Sequence, residues 1–351
     1  MYIIVAILIF GVLIAVHELG HFLAAKSLGV KVNEFSIGMG PALLKKQGAE
    51  TRYSLRLLPI GGYCAIEGEA DDSEDERSMG KKPLPARLLI LFAGSFMNFL
   101  AGFLIVLVIV SMSPYYSTTR IDSFMDGFPL QGEAGLMAGD RIVGIDGHSV
   151  HLIGEFSMHM DRRDNPDTVD MVVVRDGKRV KLDDLPLVLR EYNYDGETVT
   201  KYGLVFTSTP RTFFGIFQQA WYNSAYFVKM VWMGLGDLIT GRAALNQMSG
   251  VVGAVAAIGE VGANSATVAM GLINVFYLGA FIAVNLSVMN LLPIPGLDGG
   301  HIFTMIVAAV FTKIAGRKPN PKVEAYIHAA GLVLLMGLMA VLLVSDVAKL
   351  V

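Results

Sequence analysis

Residues 1–25 read MYIIVAILIFGVLIAVHELGHFLAA. Met1 to Val16 is an almost unbroken apolar run, and apolar character resumes at Phe22–Ala25 after one polar interruption. Roughly 20 apolar residues cross a bilayer core, so residues 2–27 are predicted to be a first transmembrane helix. The interruption is His17-Glu18-Leu19-Gly20-His21. Three ionisable groups in a hydrocarbon segment are costly and mark function. Positions i and i+4 of a helix share a face, so both imidazoles can reach one metal ion, with Glu18 beside it as a base. Glu18 lies roughly 22 Å along the helix from Ile3, inside a core about 30 Å thick. The segment lacks a basic start and a small-residue cleavage pattern, which disfavours a cleaved signal peptide.

Composition agrees with this reading. Hydrophobic residues make up 53% of the 351 and charged residues 17%, where soluble domains carry about 25% charged. Such a chain needs a membrane. Further apolar runs at 87–112, 268–292 and 328–345 bring the expected spans to about four. The net charge of −3 argues against nucleic acid as a partner. The single cysteine, Cys64, excludes an intrachain disulfide and a thiolate metal cluster. Ten Lys/Arg lie between Lys26 and Arg87, and four between Lys313 and Lys322. Positive-inside then puts both connections in the cytosol, both termini outside, and the metal near the cytosolic face.

Between the spans the character changes. Region 29–86 alternates like strands at Val32–Ile37 and Arg52–Leu58, with a hairpin turn expected at Gly61-Gly62 before Tyr63–Ile66. Its open edges cannot face lipid, so it is placed at the cytosolic surface or against a protein-lined cavity. Asp71–Arg77 is an acid run expected to be a solvated loop. Residues 116–210 are charged, β-branched and rich in Gly-Asp turns. Gly135–His148, with a tight Asp146-Gly147 turn, resembles a PDZ domain, whose edge takes up peptide by strand addition. Residues 211–240 carry Phe213, Phe214, Phe217, Trp221 and Trp232 among polar residues, as an interfacial helix would. Region 241–312 is a third membrane region, 313–327 a cytosolic loop and 328–348 the last helix. His148, His151 and His159 are expected in surface or turn roles, and His328 as an interfacial anchor.

Two histidines leave a catalytic zinc one protein ligand short. The best donor is distant, in Asn290-Leu-Leu-Pro293-Ile-Pro295-Gly-Leu-Asp298-Gly299-Gly300-His301. Two prolines break the third span, and Asp298 sits at the break. A divalent ion with two neutral histidines, one carboxylate and one hydroxide carries no net charge, the cheapest state to bury. That favours Asp298 over His301, its rival on position.

With these two motifs the chain resembles the site-2 protease family of intramembrane metalloproteases. The single PDZ-like insert and Gly38-x-Gly40-Pro41 resemble its bacterial branch, whose members cut membrane-spanning anti-sigma factors and remnant signal peptides. The sporulation-linked branch is disfavoured, because no nucleotide-sensing domain follows the last span. The resemblance implies that His17, His21 and Asp298 bind Zn2+ and that Glu18 is the catalytic base. It implies that Asn285 and Asn290 hold the substrate backbone, and that substrates are single-span proteins of a bacterial plasma membrane, with the PDZ-like domain outside the cytoplasm. Ser95 and Val251 stand where the family usually has proline, the latter after Ser249-Gly250. The expected function is therefore an intramembrane zinc endopeptidase, with the 29–86 strands pairing with an unwound substrate. A non-catalytic receptor acting through the PDZ-like domain has no need of Glu18, and a zinc transporter would need more intramembrane ligands than the spans offer.

Overall fold

The computed structural model describes residues 1–69, 73–194, 196–242, 250–317 and 319–350. Two compact units divide the chain: Met1–Val106 with Phe227–Val351, and Leu107–Tyr226. In chain order, α1 (Tyr2–Ser27), β1 (Val32–Gln47), β2 (Arg52–Ile66) and α2 (Leu84–Met112) come first. The second unit adds β3 (Tyr115–Phe124), β4 (Arg141–Ile145), β5 (His148–Ser149), α3 (Ile153–Met160), β6 (Val169–Arg175), β7 (Lys178–Leu185), β8 (Arg190–Tyr194), β9 (Glu197–Lys201) and β10 (Leu204–Pro210). Then come α4 (Phe213–Thr240), α5 (Val251–Ala263), α6 (Val268–Asn290), α7 (Asp298–Ala315) and α8 (Pro321–Leu350).

Among the described residues five helices, α1, α2, α6, α7 and α8, are long and apolar enough to cross a membrane, against the four spans expected. The difference arises in 241–312, which divides into α5, α6 and α7; residues 243–249, Ser249 included, lie outside the described residues. Pro293 and Pro295 have no amide to donate, and Gly296 takes a φ of +95°. The chain therefore turns after α6 and restarts as α7 at Asp298. Helix α8 begins at Pro321 and not at 328, since proline in a first helical turn forfeits no hydrogen bond. The expected 313–327 loop shrinks accordingly. Of the acid run, Asp71 and Asp72 lie outside the described residues, while Asp75 and Arg77 pair with Lys31 and Glu50.

Helix α1 buries Ala6, Ile9, Phe10, Leu13, His17, Gly20 and His21 on one side, the stripe a 3.6-residue period demands. That stripe packs against Ile258 of α5 and Val275 and Ala283 of α6. Ile3, Ile4, Leu8 and Val12 stay exposed on its other side, an arrangement suited to lipid and not to water. Asp346 of α8 is buried, and its carboxylate accepts from the amides of Gly250 and Gly253 at 3.1 and 2.8 Å. It caps the first turn of α5, a contact worth about 0.5–2 kcal/mol.

The β1–β2 sheet departs from expectation. The tight turn lies at 48–51, where the Gly48 amide donates to the Thr51 carbonyl. β2 runs parallel to Glu34–Ile37 along Arg52–Leu55 and antiparallel to it along Gly62–Ala65. It therefore reverses between Leu55 and Gly62 as a wide connection across β1 and not as a tight hairpin. Gly61 takes a φ of +90° there, which a side chain would resist. Because both strands bend, Phe35 lies opposite Cys64 on one side and Tyr53 on the other. Arg56 ties the bend together, donating to Ser36 Oγ at 2.9 Å, Glu34 Oε1 at 3.0 Å and the Gly40 carbonyl at 2.8 Å. Around this polar centre Ile37, Met39, Leu43, Leu44, Leu55, Leu57 and Leu58 are exposed. The root of the sheet is fixed by Val32, Cys64 and Ile66, packed with Ala25 of α1 and Ile90 and Leu91 of α2.

In the second unit a six-stranded sheet runs β10-β3-β4-β6-β7, with β5 on β4, and a separate β8-β9 hairpin. Ile121, Ile142, Ile145, Phe156, Met171 and Val173 form its core. Asp146 and Gly147 turn β4 into β5 with φ of 47° and 78°, the left-handed pair that a two-residue hairpin needs. Arg175 clamps the buried Asp140 through both carboxylate oxygens, at 2.9 and 2.7 Å.

Candidate active site

Helix α1 turns His17 and His21 onto one face, and that face meets α2 where neither helix has a side chain in the way. A Cβ on Gly20 would lie 2.3 Å from the Ala93 carbonyl oxygen, and one on Gly94 would lie 2.3 Å from His21 Nε2. Only glycine admits this approach. Ser95, the departure from the family's proline, is fully buried at the same crossing.

Asp298, the first residue of α7, completes a cluster. Its Oδ2 lies 3.1 Å from His17 Nε2 and 3.4 Å from His21 Nε2, and the two Nε2 atoms are 3.1 Å apart. Among the described residues this is the one group of three or more His, Cys, Asp or Glu side chains whose ligand atoms lie within 4.8 Å of one another. The tautomers suit a cation. His21 Nδ1–H donates to the Ile90 carbonyl at 2.9 Å, which leaves the Nε2 lone pair directed at the cluster. A buried carboxylate oxygen and imidazole lone pairs facing one another would repel without a positive charge between them, and Asp298 Oδ2 has no hydrogen-bond partner. Two nitrogens and one oxygen are the donor set of a catalytic zinc. The residues fit the metal.

His301, the rival ligand, is turned elsewhere: its ring stacks on His328 with centroids 3.8 Å apart and planes within 3°. Glu18 is half-buried beside β2; a Cβ on Gly62 would lie 3.6 Å from its Cγ. Burial pushes the Cys64 thiol up, so it stays protonated and is no rival nucleophile. Asn285 and Asn290 are half-buried on the last turns of α6. Five residues separate them, about 140° around a helix, so they do not share one face.

One residue escapes the sequence reading. Asn98, four residues after Gly94 and on the same face of α2, is 1% exposed and lies 3.4 Å from His17 Nδ1 through its amide, with Oδ1 otherwise unpartnered. Turned so that Oδ1 meets the ring, the amide accepts from His17 Nδ1–H and directs that Nε2 at the cluster as well. A buried amide in an apolar span is the signal that could have found it.

The sequence matches the family described as Peptidase family M50 over residues 5–338. It is 35% identical to a Clostridium perfringens protein named "Putative zinc metalloprotease", over 99% of this chain and 98% of that one. A protein of the same description from Clostridium acetobutylicum is 36% identical over 98% and 97% of the two chains. The "Regulator of sigma-W protease RasP" of Bacillus subtilis is 26% identical over 98% and 97%. With the family matched along nearly its whole length, the chain belongs to peptidase family M50, the site-2 proteases, and is a zinc-dependent membrane protease.

Proposed function

We propose that this protein hydrolyses a peptide bond inside the transmembrane segment of a membrane-protein substrate, with His17, His21 and Asp298 holding the zinc and Glu18 as the base. The observation that carries the reading is the convergence of His17 Nε2, His21 Nε2 and Asp298 Oδ2, with Glu18 one residue along the same helix. Bound there, zinc would polarise the scissile carbonyl and make water acidic enough to attack near neutral pH. Glu18 takes the proton of the attacking water and returns it to the departing amine. Asn98 and the Ile90 carbonyl keep both imidazoles in the ligating tautomer.

A substrate helix offers no free amides, so it must unwind before it is cut. β2 passes beside Glu18, and an extended substrate could pair with its outer edge as a further strand. Asn285 and Asn290 would hold the substrate backbone from the end of α6. The charge pattern supports a bacterial plasma-membrane protein with β1–β2 at the cytosolic side and residues 116–210, read as a PDZ-like domain, outside the cytoplasm. The RasP relative is named as a regulator of sigma-W, which supports a membrane-spanning anti-sigma factor as substrate; a remnant signal peptide rests on the family resemblance alone.

Two variants test the division of labour. Glu18→Gln is expected to keep zinc and lose cleavage, since a base is not a ligand. Asp298→Ala is expected to lose much of the metal. Stoichiometric zinc in Asp298→Ala, with His301→Ala empty, would overturn the ligand set.

A further inference from the structure

We propose that His328, on α8, is a positioning residue that locks the loop carrying Asp298 into place. The idea rests on Asp298 being the third zinc ligand. Residues 291–297 join α6 to α7, and two of them are prolines without an amide. The Gly296 amide donates to His328 Nδ1 at 3.3 Å. Gly296 stands two residues before Asp298, so this bond holds the peptide that sets where the carboxylate begins.

The protons can be followed outward. An Nδ1 that accepts leaves the proton on Nε2. Nε2–H then donates to Thr304 Oγ1 at 3.2 Å, and the Thr304 hydroxyl in turn has the His301 carbonyl at 3.1 Å and Glu324 Oε1 at 3.2 Å as acceptors for its proton. Both ends of the imidazole are thus fixed. The stacked ring of His301 covers one face of His328, so the ring cannot swing aside without losing that contact. Backbone packing closes the remaining freedom. A Cβ on Gly331 of α8 would lie 2.3 Å from the Pro295 carbonyl oxygen, and one on Gly300 would lie 2.2 Å from that of Ile294. The loop is thus held between the first turn of α7 and α8. His328 supplies its directional bond from α8.

The expected position of His328 at the start of the last helix is what changes. Helix α8 begins at Pro321, so His328 lies two turns inside it and not at its start. A histidine there, four residues from Glu324, needs a partner. Gly296 and Thr304 are those partners.

Asn and Leu have nearly the same shape, and Asn Oδ1 falls close to where Nδ1 stands. The test compares His328→Leu and His328→Asn in the full-length protein in lipid nanodiscs. Readouts are zinc retention against a chelator, and kcat and KM on a single-span reporter that the unaltered protein cuts. His328→Leu is expected to lower kcat and zinc retention about 10–100-fold, the usual loss when a ligand's supporting contact goes, with KM unchanged. His328→Asn should recover most of both. Equal behaviour of the two variants, whether both intact or both impaired, overturns the proposal. Should His328→Leu fail to fold, Thr304→Val carries the test: it frees the imidazole's far end and should lower kcat with KM intact, and an unchanged kcat and zinc retention refute the idea. Asp298→Ala, run alongside, separates the two readings. Zinc retained there discards the ligand assignment, whereas zinc lost there but kept in His328→Leu discards only the lock.

Discussion

Gly94→Ala is the smallest change that should empty the zinc site. One methyl is added to α2, and the new Cβ would stand 2.3 Å from His21 Nε2, 2.5 Å from its Cε1 and 2.9 Å from His17 Cε1. Ordinary contact begins near 3.4 Å, so the ring must retreat by about 1.1 Å. It cannot do so cheaply, because His21 Nδ1 is tied to the Ile90 carbonyl and α1 is itself seated on α2 through Gly20. Misplacing a reacting group by about 1 Å costs roughly 100-fold in rate, and overpacking a tight contact costs about 1–3 kcal/mol. Gly102→Ala supplies the control. On the same helix, its Cβ would meet the Ala280 carbonyl and Val284 Cγ2 of α6, both at 2.9 Å, away from the imidazoles. Zinc content, reporter cleavage and thermal unfolding in detergent should all be measured on both. Gly94→Ala is expected to lose zinc and cleavage about 100-fold, and Gly102→Ala to lose only stability. Full zinc and a kcat within about twofold of the parent in Gly94→Ala would refute the reasoning that this crossing sets the metal geometry.

Asn98→Leu should weaken zinc retention about 10–100-fold by removing the partner of His17 Nδ1; a metal titration unchanged from the parent would remove Asn98 from the site. Asp346→Ala exposes two α5 amides and should lower stability by about 0.5–2 kcal/mol, seen as a lower Tm with zinc retained. Lys26 and then Arg77 hold the Glu50 carboxyl down from 4.5 to about 2. Its folded pKa is the lower one, so its contribution is complete above about 4.5 and disappears as pH falls toward 2. Pepsin should therefore nick the chain around Arg77, the partner of Glu50, increasingly across that window, and Glu50→Gln should flatten the dependence. Proline at alternate positions from Tyr63 to Ile66 should impair cleavage with a period of two while zinc stays bound; uniform tolerance would show that β2 does not pair with substrate.

What the sequence reveals is what lies within a turn or two along the chain. His17 and His21 are four apart, so one helix face is legible without a fold. Asp298 is legible through chemistry, because a carboxylate beside two prolines in an apolar stretch needs a reason to be there. Asn98 is not, since its partner sits 81 residues away across a helix crossing that only Gly20 and Gly94 create. The Gly61-Gly62 pair is half legible for a related cause. A double glycine favours reversal locally, and β2 does reverse between Leu55 and Gly62. Its two arms flank Phe35, opposite Tyr53 and Cys64, so the turn spans β1 and is not the tight hairpin a local reading suggests. His328 is likewise silent, as its role depends on how α8 lies along the Pro293–Gly296 turn. The fifth long helix follows from the same prolines, which end α6 early enough for α7 to begin afresh.

The distance along the chain between His21 and Asp298 has a consequence in time. A ribosome adds about 5–20 residues per second, so the two histidines wait roughly 15–55 s in the bilayer before the carboxylate is even made. The β2 backbone at Gly62, beside Glu18, follows within seconds, whereas the Gly296 and His328 contacts arrive last. For most of its synthesis the nascent chain carries Glu18 and two imidazoles of the proposed site without Asp298 beside them. Newly inserted neighbours, their own spans still unpaired, share the membrane with a protease that is not yet armed.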